Sequence, residues 1–550
     1  MREGGWGPIV TTTVIVQGHN PKLSIGSVNA TEFFVTFAEA ATFIVTIPAL
    51  ISRHWQIIVG LLIGGVIGGP LAAYACKKLP TRLMRLQTEA MSPDRAHPQF
   101  TGGAIRARQL FLRAVNSRLG RDTIGSMGLK ITSGGLGFLS TVLLARLLEP
   151  AGYGVYAYVY AWINVLSVLT QFGLPTLVVR ETARGMAQDR PDLVQGIWRW
   201  AGRITGLLSL ALAGVGAVLA WVLRSSFGGE RLSTFAWAIL LVPLVALGNL
   251  RGAALRGLQR VVAGQMPEFL IRPGLLVLLL GGAAWLLGRS LSAAEAMALS
   301  VAAAALAFGF GAWMLWRVAP SSVRAARPQY ESRAWWLSAF PLAFVDGISL
   351  INNQAAIIIL GFFVSDAEIG VYRVAAQVST LASFGLDAVN LVVAPRFAEL
   401  YEKGDLAKLQ RLVTISARVI LAMNMGFTLG YVLLGRLFLR LVFGPAYLGA
   451  YIPLLILLVG QAVNSAAGSV GMLLNMTRHE RDTAKGLAVS AILNVVLNLL
   501  LVPLLGIIGA AIATAVSLIT WKVLLWQVVR WRLGINSLAF DLLREDGRCL

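Results

Sequence analysis

The sequence predicts an all-α integral membrane protein. It should hold twelve transmembrane helices in two parallel six-helix repeats, with a partial membrane segment of two to three helices ahead of them. Three observations predict this. First, 57% of the 550 residues are apolar and only 13% are charged, against about 25% charged in soluble domains. Apolar runs of the roughly 20 residues that a bilayer requires recur from end to end. Second, the chain states one stretch twice. Ala145-Arg-Leu-Leu-Glu-Pro-Ala-Gly-Tyr-Gly-Val-Tyr156 returns as Gly361-Phe-Phe-Val-Ser-Asp-Ala-Glu-Ile-Gly-Val-Tyr372, and Phe172-Gly-Leu174 returns as Phe384-Gly-Leu386. The two offsets, 216 and 212 residues, differ by about one helical turn, which leaves the same face inward. Third, the basic residues cluster between alternate apolar runs.

The third observation fixes the count. With the first span of the duplicated unit entering from inside, the inner segments carry 30 Lys and Arg and the outer ones only 6. Such an alternating split is what the positive-inside rule produces. It also accounts for the net charge of +21 without nucleic acid, since no soluble domain offers a basic stripe. Six helices per repeat is an even number, so both halves enter the membrane in the same sense.

Several classes drop out. Cys76 and Cys549 give no disulfide framework or metal spacing, and the four histidines are scattered. No Gly-Lys pair occurs, hence no Walker A loop. The expectation is a protein that is not an enzyme and uses no metal or cofactor.

In order along the chain, residues 1–85 stand apart from the duplicated unit. Gly4-Gly-Trp-Gly-Pro8 precedes Gly26-Ser-Val-Asn-Ala-Thr-Glu-Phe-Phe-Val-Thr36, and an apolar run with Gly60, Gly64 and Gly68 ends at Lys77-Lys-Leu-Pro-Thr-Arg82. Glycines at every fourth position permit close helix packing. Residues 86–123 read as a basic cytoplasmic linker, with turn chemistry at Met91 to Pro98. The first lobe is 124–316, with spans 124–147, 153–179, 201–223, 234–255, 267–288 and 293–316. A polar loop, 317–333, contains Pro320 and Pro328. The second lobe is 334–533, with spans 334–363, 369–394, 412–442, 449–475, 485–504 and 508–529. A cytoplasmic tail, 534–550, closes the chain.

Two resemblances attach to these residues. The motifs of 1–85 resemble the second half of the sulfite exporter (TauE/SafE-type) family. That implies an anion path bordered by Trp6, Asn29 and Glu32, but the family's first half and last helix do not follow here. A gene-fusion remnant is the alternative. Residues of about 122–533 resemble the polysaccharide (Wzx-type oligosaccharide) flippases of the multidrug/oligosaccharidyl-lipid/polysaccharide exporter superfamily. The duplicated stretch carries this likeness, with Phe172-Gly-Leu-Pro-Thr-Leu-Val-Val-Arg-Glu181, Phe443-Gly-Pro-Ala-Tyr447, Leu473-Leu-Asn-Met-Thr-Arg-His-Glu-Arg-Asp482, Asn494-Val-Val-Leu-Asn498 and Gly506-Ile-Ile-Gly-Ala-Ala-Ile-Ala-Thr514. The resemblance implies passage of a lipid-linked oligosaccharide across the bacterial inner membrane by alternating access, with flippase termini in the cytoplasm. Its implied partners are the lipid-linked oligosaccharide, membrane lipids, H⁺ or Na⁺, and a polysaccharide polymerase and glycosyltransferases. A multidrug antiporter of the same fold, a sulfite or sulfonate exporter and a non-transporting scaffold remain the other readings.

Such a cargo pairs an anionic diphosphate with a polar glycan. Charge near the bilayer centre costs roughly 2.5–3.5 kcal/mol, so charged residues there face an interior. Lys130, Arg373 and Lys522 are the candidate cavity cations, with snorkelling to an interface as the alternative. Asp346 and Asp387 are the candidate ion-coupling carboxylates, or else ion-pair partners or helix-start caps, the last above all for Asp387 after Gly385-Leu386. Asn352, Asn353, Asn464, Asn475, Asn494 and Asn498 can meet sugar hydroxyls or bridge helices. Arg180, Glu181 and Arg396 fit a gate or structural pairs at a cytoplasmic helix end.

Overall fold

The structure, a computed structural model, describes residues 118–222 and 229–539. The segment 1–85 with Trp6, Asn29 and Glu32, nearly all of the linker and the last residues of the tail lie outside the described residues. Among the described residues every regular element is helical. The first half runs through α1 (Arg118–Gln171), α2 (Leu174–Ala187), α3 (Pro191–Val222), α4 (Gly229–Ala238), α5 (Leu241–Gly257) and α6 (Val261–Met266). A π-helical turn (Pro267–Ile271), α7 (Arg272–Leu287) and α8 (Ala293–Val318) complete it, and α9 (Ser321–Ala325) lies in the connecting loop. The second half holds α10 (Ser332–Phe363), α11 (Asp366–Leu381), α12 (Phe384–Glu402) and α13 (Leu406–Val442). It ends with a 3-10 turn (Pro445–Ala450), α14 (Tyr451–Ala466), α15 (Val470–Met476) and α16 (Glu480–Leu533).

Nine helical runs among the described residues are long and apolar enough to cross a membrane, or ten if the bent pair Asp366–Asn390 and Val393–Glu402 is one span. Two of these runs are far too long for one straight crossing. At 54 residues each, α1 and α16 would stretch about 81 Å unbent, against a hydrocarbon core of about 30 Å. Each is broken at a corner visible in the sequence. In α1, Glu149 leaves helical geometry at φ 56°, ψ 174°, because Pro150 has no N–H to give and its ring excludes the α conformation at the residue before it. In α16 the break is at Gly506, φ 57°, ψ −133°, a region that glycine enters readily. The sequence-predicted gaps between 147 and 153 and between 504 and 508 fall on these two corners. Elsewhere several helices begin ahead of their predicted starts, and the predicted spans 153–179, 234–255, 369–394 and 449–475 are each interrupted by a short break. Asp405 caps α13 by accepting from the Lys408 N–H, and Lys408 beside it holds the Asp405 carboxyl below the usual carboxylate range.

The two statements of the repeated stretch pack against each other. A Cβ on Gly154 would overlap the Asp366 carbonyl oxygen and stand 2.6 Å from its carbon. A Cβ on Gly370 would overlap the Pro150 carbonyl. Only glycine lets α11 and the second arm of α1 cross so closely. Just beyond the crossing, the tyrosines make matching bonds: Tyr156 Oη to Ser300 Oγ on α8 (2.9 Å), and Tyr372 Oη to Thr514 Oγ1 on α16 (3.1 Å). The largest apolar core joins both halves around this crossing and includes Tyr153, Tyr156, Ile357, Ile369, Tyr372 and Tyr447.

The corners gather on one face. Leu291 N–H donates to Leu147 O, and Ala293 N–H to Glu230 Oε1. On that face polar bonds tie the halves together. Arg231 grips Asp366 with two nitrogens, the shorter contact being 2.6 Å. Arg146 donates to Val442 O (2.9 Å) and to Leu441 O, and Tyr447 Oη donates to Ala145 O (2.9 Å). Towards the opposite ends the halves meet through aromatic rings: Phe172 lies on Trp336 and Phe340, and Trp200 on Trp335 and Trp336.

Candidate functional site

Two adjoining polar cavities lie beneath the crossing, and Arg373 lines both. The first, about 330 Å³, is walled by α1, the π turn, α7, α8, α10 and α11; its polar lining includes Tyr153, Tyr156, Tyr160, Glu268, Arg272 and Arg373. The second, about 380 Å³, lies in the second half and is lined by Asn352, Asn353, Arg373, Thr380, Gln461 and Asn494 among others. Both volumes fall within the ordinary range of small-molecule sites. Arg373 also interacts with the Tyr153 hydroxyl across the boundary between the halves.

The predicted cations divide. Arg373 takes its place in the cavity lining. Lys130 and Lys522 line neither cavity; instead both lie close enough to Asp387 to act on it electrostatically. Lys130 is exposed, whereas Lys522 is 6% exposed, its ammonium 4.6 Å from the Trp521 ring centre. Asp387 thus offsets part of the charge of the two lysines without any ligand. Asp346, mid-way along α10, is half-buried, and no ion pair to it occurs among the described residues.

The asparagines also separate. Asn352, Asn353 and Asn494 line the second cavity, with the Asn353 amide bonded to Ser349 O in its own helix. Asn498 is fully buried and donates to Asn494 O and Oδ1 within α16, so this pair stiffens one helix rather than bridging two. Asn464 is buried and donates to Gln461, itself a lining residue. Asn475 is exposed on the short α15 and lines neither cavity. Arg180, Glu181 and Arg396 form local pairs: Arg180–Glu181 at 3.0 Å, Arg184–Glu181 at 3.5 Å and Arg396–Glu399 at 2.7 Å. None of these joins one half to the other.

Sequence reasoning missed a buried ion group in the first half. Arg251 and Arg272 fall on the inner, basic side of the charge pattern, yet both guanidiniums flank Glu268, at 3.5 and 3.6 Å. Their side chains are only 5% and 17% exposed. Glycines make the room: a Cβ on Gly248 would stand 2.5 Å from Glu268 Oε1, and one on Gly311 2.5 Å from Arg251 Nε. The available signal was Glu268 and Arg272 inside the predicted span 267–288, where charge is expensive. The Arg231–Asp366 pair was missed too, because nothing local links residues so distant in sequence.

Comparison with known proteins bears on this arrangement. The family described as "Polysaccharide biosynthesis protein" matches residues 119–401, just over half of the chain. The "Probable low-salt glycan biosynthesis flippase Agl15" of Haloferax volcanii is 23% identical over 402 residues, covering 72% of this chain and 81% of that protein. Among solved structures, an inward-facing multidrug resistance MATE family transporter of the MOP superfamily superposes with a TM-score of 0.63 at 13% identity, covering 75% of this chain and 98% of that one. The lipid II flippase MurJ, in an inward closed conformation, gives 0.58 at 13% identity, covering 74% and 87%. At such identities the two structures speak to the fold alone.

Proposed function

Because the chain belongs to the polysaccharide biosynthesis protein family, we propose that it carries a lipid-linked oligosaccharide, a polysaccharide or O-antigen type of repeat unit, across the bacterial inner membrane. The movement is alternating access between two six-helix halves related by an axis along the membrane normal. Twelve crossings follow if α1 divides at Glu149, α16 divides at Gly506, and the bent pair after Asp366 counts once more. The matching Tyr156–Ser300 and Tyr372–Thr514 bonds, and the mutual packing of Gly154 and Gly370, support a parallel repeat.

The observation that carries the reading is the pair of polar cavities meeting at Arg373 between the halves. A guanidinium suits phosphate oxygens, and Asn352, Asn353 and Asn494 suit sugar hydroxyls. The glycan flippase relative, similar over most of its length, supports the same cargo class. The loop charges put both ends of 124–533 in the cytoplasm, so the face holding Arg231–Asp366 is the outer one. Asp346, half-buried and outside any ion pair among the described residues, is the better of the two coupling carboxylates for H⁺ or Na⁺; Asp387 already faces two lysines. In this reading the chain is a carrier, not an enzyme, fed by glycosyltransferases and serving a polymerase. In the same reading the lobes 124–316 and 334–533 carry the transport and residues 1–85 are dispensable for it.

The test is a deletion strain. Polyprenyl diphosphate-linked glycan should accumulate and surface glycan should fall; wild-type protein should reverse both, and a variant with Arg373→Gln, Asn352→Ala and Asn494→Ala should not. Unchanged lipid-linked intermediates in the deletion strain would refute the reading.

A further inference from the structure

The ion group of the first half has a built-in asymmetry. Arg251 is fixed: it donates to Phe308 O (2.6 Å) and Ala307 O (3.4 Å), lies 5.4 Å from the Phe308 ring centre and presses into the notch at Gly311. Arg272 is held far less. Among the described residues it has no backbone partner; it donates to Tyr160 Oη at 3.1 Å, and it lines the first cavity, as Arg251 does not. Glu268 straddles the two at 3.5 and 3.6 Å, whereas charge-assisted contacts settle near 2.7–2.9 Å and Arg231–Asp366 closes to 2.6 Å. Neither guanidinium therefore holds the carboxylate in a close bond.

Charge points the same way. Two guanidiniums share one carboxylate, and Arg373 adds a further cation to the same cavity. An interior with such an excess favours an anion. Glu268 also sits in the π-helical turn Pro267–Ile271. A π turn holds one residue more than an α turn and recurs at functional sites; a helix can shift register there without unfolding.

We propose that Arg272 is an exchangeable phosphate-binding cation and that Glu268 is the protein's own substitute for the phosphate. In the empty state Glu268 shares itself between Arg251 and Arg272. A prenyl diphosphate headgroup entering the first cavity takes Arg272, and Glu268 closes onto Arg251. No proton or covalent bond changes hands. The lipid nature of the ligand rests on the flippase reading above; the exchange itself rests on the geometry of the three side chains.

The test uses the full-length protein in nanodiscs with farnesyl diphosphate as the probe, beside farnesol and inorganic diphosphate. Wild type should bind the prenyl diphosphate more tightly than either control. Arg272→Gln should weaken farnesyl diphosphate at least tenfold, and Glu268→Gln, which removes the competitor, should tighten it severalfold. Farnesol binding should not move in either variant. Glu268→Asp, which reaches less far, should tighten binding too and serves if the glutamine variant misfolds. Equal weakening by Glu268→Gln and Arg272→Gln would overturn the exchange, making Glu268 a fixed support. Wild-type binding in Arg272→Gln together with loss in Arg373→Gln would overturn the site and leave the flippase reading standing. Inorganic diphosphate binding as tightly as the prenyl form would overturn the headgroup assignment. Wild type binding farnesol and its diphosphate alike would overturn the phosphate site itself.

Discussion

Gly154→Ala tests the packing of the two halves directly. The new methyl would overlap the Asp366 carbonyl oxygen and stand 2.6 Å from its carbon, where ordinary contact begins at 3.4 Å. The carbon alone demands a retreat of about 0.8 Å and the nearer oxygen demands more; because the obstacle is backbone, no rotamer change relieves it. Lengthening the 2.9 Å Tyr447–Ala145 bond by that amount takes it outside hydrogen-bonding range. Overpacking of this kind costs about 1–3 kcal/mol, equivalent to a shift of roughly 5- to 150-fold against the closed face. The assay is thiol labelling of Ser300→Cys, a buried residue lining the first cavity beside Tyr156, after replacing Cys76 and Cys549. A membrane-impermeant maleimide applied from the face that carries Glu149 should label Gly154→Ala at least fivefold faster than the parent. Equal rates, with the variant inserted and thermally as stable as the parent, would show that the Gly154–Gly370 crossing does not hold that face shut.

Four further outcomes are expected. Arg231→Gln or Asp366→Asn should each speed the same labelling by a few-fold, since a partly exposed pair is worth up to about 1 kcal/mol; the swap Arg231→Asp with Asp366→Arg should restore much of the parent rate. Arg251→Met leaves Glu268 with one loose partner and removes the bonds to Ala307 O and Phe308 O, so the detergent-solubilised protein should lose roughly 3–5 kcal/mol of stability, read as a lowered Tm. Asp346→Asn should remove any dependence of glycan export on the H⁺ or Na⁺ gradient while leaving farnesyl diphosphate binding in place; gradient-dependent export in the variant would remove Asp346 from the coupling role. Deleting residues 2–100 behind a restored start should leave glycan export intact, and loss of export with normal membrane insertion would make the amino-terminal segment part of the machine.

Much of this fold was legible because bilayers constrain sequences heavily. The corners at Glu149-Pro150 and Gly506 show as proline and glycine within apolar text, and the structure bends at both. The repeated Gly-Val-Tyr announced a relation between Tyr156 and Tyr372, and the two make equivalent hydrogen bonds. Arg373 was identifiable because it follows the repeat directly. What composition cannot convey is partnership. Lys130, Asp387 and Lys522 were each recognised as costly charges, yet their mutual neighbourhood depends on how α1, α12 and α16 pack. Arg251 and Arg272 near span ends look like the basic flank that the positive-inside rule predicts; only their shared contact with Glu268 reveals that both turn inward. A π turn has no periodic signature at all, since it alters one turn of a helix otherwise apolar all round.

The position of Arg373 links the cavities to the closed face. It lies three residues beyond Gly370 on α11, and its side chain meets Tyr153, the neighbour of Gly154. A ligand that draws on Arg373 therefore pulls at the point where the halves cross. Among the described residues the polar bonds beyond that point include one partly exposed ion pair worth up to about 1 kcal/mol, the Arg146 bonding to carbonyls at about 1.5–3 kcal/mol and the Tyr447 bond at about 0.5–1.5 kcal/mol. Their total is similar to the ~5.5 kcal/mol that moves a two-state equilibrium from 1:99 to 99:1. A face held by much more would not open within a transport cycle, and one held by much less would leak. For the alternating carrier proposed above, polar bonds of this strength on the Glu149 face would suffice, and Arg373 would sit where a bound ligand biases them.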